Sequence, residues 1–155
     1  DEHTSRGLGD VYKRQSLGLY EQESKFFDVQ LSSLTDPINL FEWLSINSGG
    51  FPEPYTFGKR LKKVLSNDID KYDIVHDNQS LCYELLDFQK QKPLVTTIHH
   101  PISKDLNYQL QSTNDIFLKL LMRRWHSFLT MQKFVAKKLN KILVPSKSSI
   151  VDIRE

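Results

Sequence analysis

One cysteine in 155 residues, Cys82, leaves no partner for an internal disulfide and no thiolate set for a metal cage. That scarcity fits a reducing cytoplasm. No secretory signal is recognisable and no apolar run approaches the about 18 residues that a bilayer-spanning helix needs. Six glycines are present, yet none builds a G-x-G-x-x-G turn or a G-x-S-x-G elbow, so no dinucleotide fingerprint or strand-to-helix nucleophile is available. A formal charge of +2 is too small to argue for nucleic acid as a partner. Acidic residues are missing altogether from residues 116–151, where Lys119, Arg123, Arg124, Lys133, Lys137, Lys138, Lys141 and Lys147 stand.

What is present is enough for one modest domain: 39% hydrophobic and 11% aromatic residues support a packed core. Residues 1–15 are polar and without periodicity; Ser5-Arg6-Gly7-Leu8-Gly9-Asp10-Val11-Tyr12-Lys13-Arg14-Gln15 reads as a non-native or disordered tail and is set aside. Residues 146–155 stop in what reads as the first turns of a helix, so a fragment of a longer protein is expected.

The alternation of Phe27, Val29 and Leu31 predicts a strand. Asp36-Pro37 opens a short apolar helix through Leu40, Phe41 and Leu44. A Gly49-Gly50 loop follows, then a helix with Phe57, Leu61, Val64 and Leu65 on one face. Asp73-Ile74-Val75-His76 predicts a short strand, and residues 79–91 a helix buried through Leu81, Leu85, Leu86 and Phe88. Leu94-Val95-Thr96-Thr97-Ile98 is the strongest strand in the chain, five β-favouring residues in a row with His99 at its end and Pro101 helping to terminate it. Asn114 or Asp115 caps a predicted long helix to about residue 140. Its apolar face holds Phe117, Leu121, Phe128, Val135 and Leu139, with Trp125 read as core. Its opposite face holds Lys119, Arg123, His126, Lys133, Lys137 and Lys141. Ile142-Leu143-Val144 is a third strand. Alternating strands and helices argue for a doubly wound parallel sheet flanked by helices, a Rossmann-like α/β fold.

In such sheets ligands bind beyond the carboxyl ends of the strands. His99 arrives at that edge and is the leading candidate for a cleft-lining group, against the plainer reading of a satisfied core histidine. His100 points the other way along an extended chain and ranks below it. Adjacent histidines rarely converge on one ion and no third ligand has a convincing spacing, so no metal site is expected. His76-Asp77-Asn78-Gln79-Ser80 occupies the same edge of the preceding strand. Asp77 or Asn78 can cap the following helix, contact a ligand, or both.

Tyr72-Asp73-Ile74-Val75-His76-Asp77-Asn78-Gln79-Ser80-Leu81, the run from Leu94 to Pro101, and Ile142-Leu143-Val144-Pro145-Ser146-Lys147-Ser148-Ser149 together resemble the N-terminal, acceptor-side domain of glycosyltransferase family 4. The most specific element is Thr97-x-His99 after a buried strand. The resemblance covers residues 26–155, with 16–155 expected to be the partial domain. It implies a GT-B arrangement of two Rossmann-like domains and a hexosyltransferase-type enzyme of carbohydrate biosynthesis. Such an enzyme transfers sugar from a nucleotide-sugar to a glycan or lipid-linked acceptor, with retention and no catalytic metal or other cofactor. His99 matches the family's cleft histidine. Asp77, Asn78, Gln79 and His100 would line the acceptor side. The family's first strand, its glycine-rich loop and the helix after it are missing. So is the donor-binding domain, with its paired glutamates seven residues apart. This stretch is therefore expected to be inactive alone.

Two other readings stand beside it. One is a non-catalytic Rossmann-like binding module. The other is a membrane-surface domain using the basic helix 115–141, with peripheral contact at the inner face of the membrane through Lys119, Arg123, Lys133, Lys137 and Lys141.

Overall fold

The computed structural model describes residues 31–99, 102–147 and 150. The expected tail at 1–15, the strand residues Phe27 and Val29, and His100 lie outside the described residues. Leu31 opens a 3-10 turn, Leu31–Thr35, rather than closing a strand. Asp36 then caps helix α1 (Pro37–Asn47): its Oδ1 accepts the Ile38 N–H at 2.7 Å, and Pro37 supplies a preset φ at the first helical position. The helix stops where Gly49 takes φ 76°, a left-handed conformation that costs glycine little. Helix α2 (Glu53–Leu65) and a 3-10 turn (Ile69–Lys71) lead to strand β1 (Val75–Asn78). Then come α3 (Leu85–Gln91), β2 (Leu94–Thr97), α4 (Ile102–Gln111), α5 (Ile116–Trp125), a 3-10 turn (His126–Phe128), α6 (Leu129–Ala136) and β3 (Ile142–Leu143).

The three strands among the described residues form one parallel sheet in the order β1-β2-β3. Asp77 pairs with Thr96 and Asn78 with Thr97, while Thr96 and Thr97 face Ile142 and Leu143. The sheet is flanked by helices, as expected. Its described strands run in sequential order, the arrangement of one half of a doubly wound sheet. The core gathers Ile69, Cys82, Leu85, Phe88, Leu94, Met131 and Val135. Leu94, Thr96 and Ile98 are buried against it, whereas Val95 and Thr97 on the alternate side of β2 are half-buried. The strand therefore reads as one-faced rather than sealed on both sides.

Three expectations fail for identifiable reasons. The helix predicted from residue 79 starts at Leu85. Gln79 (φ 62°) and Leu81 (φ 50°) are left-handed, and a helix cannot propagate through them. The long helix predicted to residue 140 is capped by Asp115 as expected, whose Oδ1 accepts from Phe117 N and Leu118 N at 2.8 and 3.2 Å. It breaks at His126–Phe128. Only its second half keeps the predicted burial: Phe128 and Val135 are in the core while Phe117 is 70% exposed. The basic residues consequently do not form one stripe. Lys119 and Arg123 sit on α5, Lys133 on α6, Lys137 at its C-cap, and Lys141 beyond it, where its carbonyl accepts the Thr96 N–H at 3.1 Å. Finally, α1 turns Leu40, Phe41 and Leu44 outward and buries Glu42 and Ser45. Val64 of α2 is also exposed, while Phe57, Leu61 and Leu65 pack on the core as expected.

Trp125 is not core; it stacks on Phe51 with centroids 5.1 Å apart and stays partly exposed. Among the described residues no helix is long and apolar enough to cross a membrane.

Candidate functional site at the strand ends

β1 and β2 deliver polar side chains to the same edge because their parallel register sets Asn78 beside Thr97. His99, two residues past the end of β2, is exposed and held at both its backbone and its ring. Its N–H donates to Gln79 Oε1 at 2.6 Å, and its ring Nε2 lies 2.6 Å from Asn78 Oδ1. An amide oxygen can only accept, so Nε2 donates to it, and in the neutral ring Nδ1 is then the acceptor atom. One rung earlier, His76 Nε2 pairs with Thr97 Oγ1 at 2.8 Å. Two imidazoles thus hang on the β1–β2 pair.

The turn after β1 is built around Asp77, which is only 7% exposed. Its carboxylate accepts from Ser80 Oγ, from Ser80 N at 3.2 Å and from Leu81 N at 3.4 Å. These bonds satisfy the amides of the turn itself, which supports the two left-handed residues that precede α3. Gln132 of α6 adds a bond from Nε2 to the Ser80 carbonyl at 3.2 Å, tying the turn to the helix layer. Beneath it Cys82 is fully buried, and burial pushes its thiol up to about 11. A thiol so placed is not a nucleophile at neutral pH.

Sequence reasoning expects His99, Asn78 and Gln79 at one edge, and the structure joins them by hydrogen bonds. Asp77 sits under that edge, inside the turn. The roles of Ser80, Thr97 and Gln132 were missed. Thr97 carried a signal in its position two residues before His99; Gln132 lies 52 residues from Ser80 and carried none. Among the described residues no group of three His, Cys, Asp or Glu side chains can hold a metal ion.

A parallel α/β sheet with a hydrogen-bonded histidine at its open edge is the class of domain that binds ligands beyond its strand ends. The chain belongs to Glycosyltransferase Family 4, whose model matches residues 21–155. It is 39% identical over 142 residues to the MMP alpha-(1->4)-mannosyltransferase of Mycolicibacterium hassiacum, a stretch that covers 91% of this chain and 34% of that protein. The chain therefore spans about a third of the length of the curated relative it matches.

Proposed function

We propose that this chain is the acceptor-side portion of a retaining hexosyltransferase that moves a sugar, of the mannosyl type, from a nucleotide-sugar to a glycan or lipid-linked hydroxyl. The observation that carries the reading is His99. It is exposed at the carboxyl edge of a parallel sheet, and the bond to Asn78 leaves its Nδ1 as an acceptor for a sugar hydroxyl. Such a bond orients the reacting face of the sugar, which raises the rate by positioning rather than by bond chemistry on the protein. The edge that Asp77, Asn78 and Gln79 build around His99 forms the acceptor side, and His100 is assigned to the same side. The donor nucleotide is assigned to the portion of the enzyme beyond this chain, and no metal or other cofactor is assigned. Family membership and the mannosyltransferase relative support transfer over a purely binding role.

The test is transfer of labelled sugar from a panel of nucleotide-sugars by the complete enzyme, with the anomeric configuration of the product read by NMR. Retained configuration with a mannosyl donor is expected. Product of inverted configuration, or no transfer from any donor, would overturn the proposal.

A peripheral contact with an anionic membrane is a second reading, favoured by one observation. Ile116, Phe117 and Leu120 of α5 are exposed large apolar side chains beside the exposed Arg123. Exposed Lys133, Lys137 and Lys141 add positive charge. Sedimentation with anionic vesicles, but not with neutral ones, is expected. Persistence of binding after changing the three lysines to Glu would contradict the electrostatic part.

A further inference from the structure

We infer that Asn78 and Gln79 serve as positioning residues that act through His99, and that Asp77 is the buried strut holding them in place. The inference rests on the proposed role of His99 and divides the labour around it. Asn78 Oδ1 meets the imidazole at 2.6 Å and Gln79 Oε1 meets the backbone N–H of the same residue at 2.6 Å. One bond sets the ring's tautomer and rotation; the other sets the chain that carries it. A histidine otherwise free to turn about two side-chain torsions is thus constrained at both ends of its Cα–ring span.

The constraint is built into an unusual backbone. Gln79 is left-handed at φ 62° and Leu81 at φ 50°, conformations that non-glycine residues seldom adopt, least of all a leucine. Gln79 is the first residue after β1 and meets His99 across a gap of 20 residues in sequence. Asp77 holds this turn through Ser80 and Leu81 while lying almost wholly inside the protein, and Gln132 of α6 braces the Ser80 carbonyl. A carboxylate occupied in that way is a structural support for the edge and not a ligand for an acceptor hydroxyl. The chain of restraint runs from α6 through Ser80 and Asp77 to Gln79 and ends on His99.

Variants of the complete enzyme test the division. Asn78→Ala removes the ring's partner and is expected to lower kcat about 10-fold or more, with the acceptor KM within about twofold, because positioning is lost rather than binding. Asn78→Asp keeps an acceptor oxygen at the same place and is expected to recover most of that loss. A direct sugar ligand acting through its amide N–H would instead fail in both variants and raise KM. Gln79→Gly tolerates the left-handed backbone while removing the amide acceptor, so its fall in kcat reports the contact and not a folding defect. In protein labelled with 15N-histidine, the His99 ring N–H resonance should be slow to exchange in the parent and in Asn78→Asp, and fast in Asn78→Ala. Impairment by His99→Ala, with unchanged kcat in Asn78→Ala and Gln79→Gly, would overturn this inference alone. Full activity of His99→Ala would remove the reading of the site beneath it.

Discussion

Glu42 on α1 is fully buried, and Arg60 on α2 grips it with both ends of its guanidinium: Nη1 bonds Oε1, and Nη2 lies 2.8 Å from Oε2. Thr56 Oγ1 donates to the same Oε1, and Arg60 Nη2 reaches Asn39 Oδ1 at 2.8 Å. A carboxylate out of water is tolerable only with this degree of pairing. The network fixes the rotation of α1, and it explains why Leu40, Phe41 and Leu44 face outward while a glutamate faces in.

Arg60→Met should strand that charge and cost about 3–5 kcal/mol of stability, measured as a lower urea midpoint. Glu42→Leu combined with Arg60→Met should cost less than Arg60→Met alone, because no buried ion is left behind. A strictly additive double variant would show that the two residues are not coupled.

His99→Ala in the complete enzyme should lower sugar transfer by about 10²-fold or more, from lost orientation and lost hydrogen bonding to the reacting sugar. Rates within twofold of the parent would dismiss the imidazole from the chemistry.

Gly58 marks the closest approach of α2 to the turn before α3. A Cβ there would collide with Glu84 Oε2 and stand 2.7 Å from Cys82 Cβ and 2.8 Å from its Sγ. Gly58→Ala should therefore destabilise despite the roughly 1 kcal/mol that alanine gains in a helix, since overpacking of this kind costs about 1–3 kcal/mol. A raised melting temperature would contradict the packing argument.

Cys82 should resist thiol reagents at pH 8 in the folded protein and react fully in urea. Its thiol is pushed by burial from the usual 9.0 to about 11. Below about pH 9 both folded and unfolded chains keep the proton, and folding is indifferent to it. Between about 9 and 11 only the unfolded chain ionises, so stability falls as pH rises through that window. Cys82→Ala should flatten the alkaline limb of the stability curve; an unchanged limb would assign it to other groups.

Much of this was legible in local sequence. Leu94 to Thr97 is β-favouring on every residue, so a strand there needs no information from elsewhere, and His99 follows it at the edge where parallel sheets bind ligands. Asp36-Pro37 and Asp115 announced helix starts because a cap is a contact over two or three residues. The break at His126–Phe128 was not legible. Periodicity continues through it, and the interruption coincides with Phe51 meeting Trp125 and Phe128 from a loop more than 70 residues upstream. Nor was the turn at Gln79, since glutamine and leucine carry no preference for a left-handed backbone.

The residue order alone decided where strands and caps begin and which edge receives the histidine, because those preferences act within a pleat or a single helical turn. The folded chain decided which charges are buried together, where α5 gives way to α6, and what grips the His99 ring. Those outcomes depend on partners from 18 to more than 70 residues away, as Glu42 with Arg60 and Phe51 with Trp125 illustrate, and no local propensity encodes them.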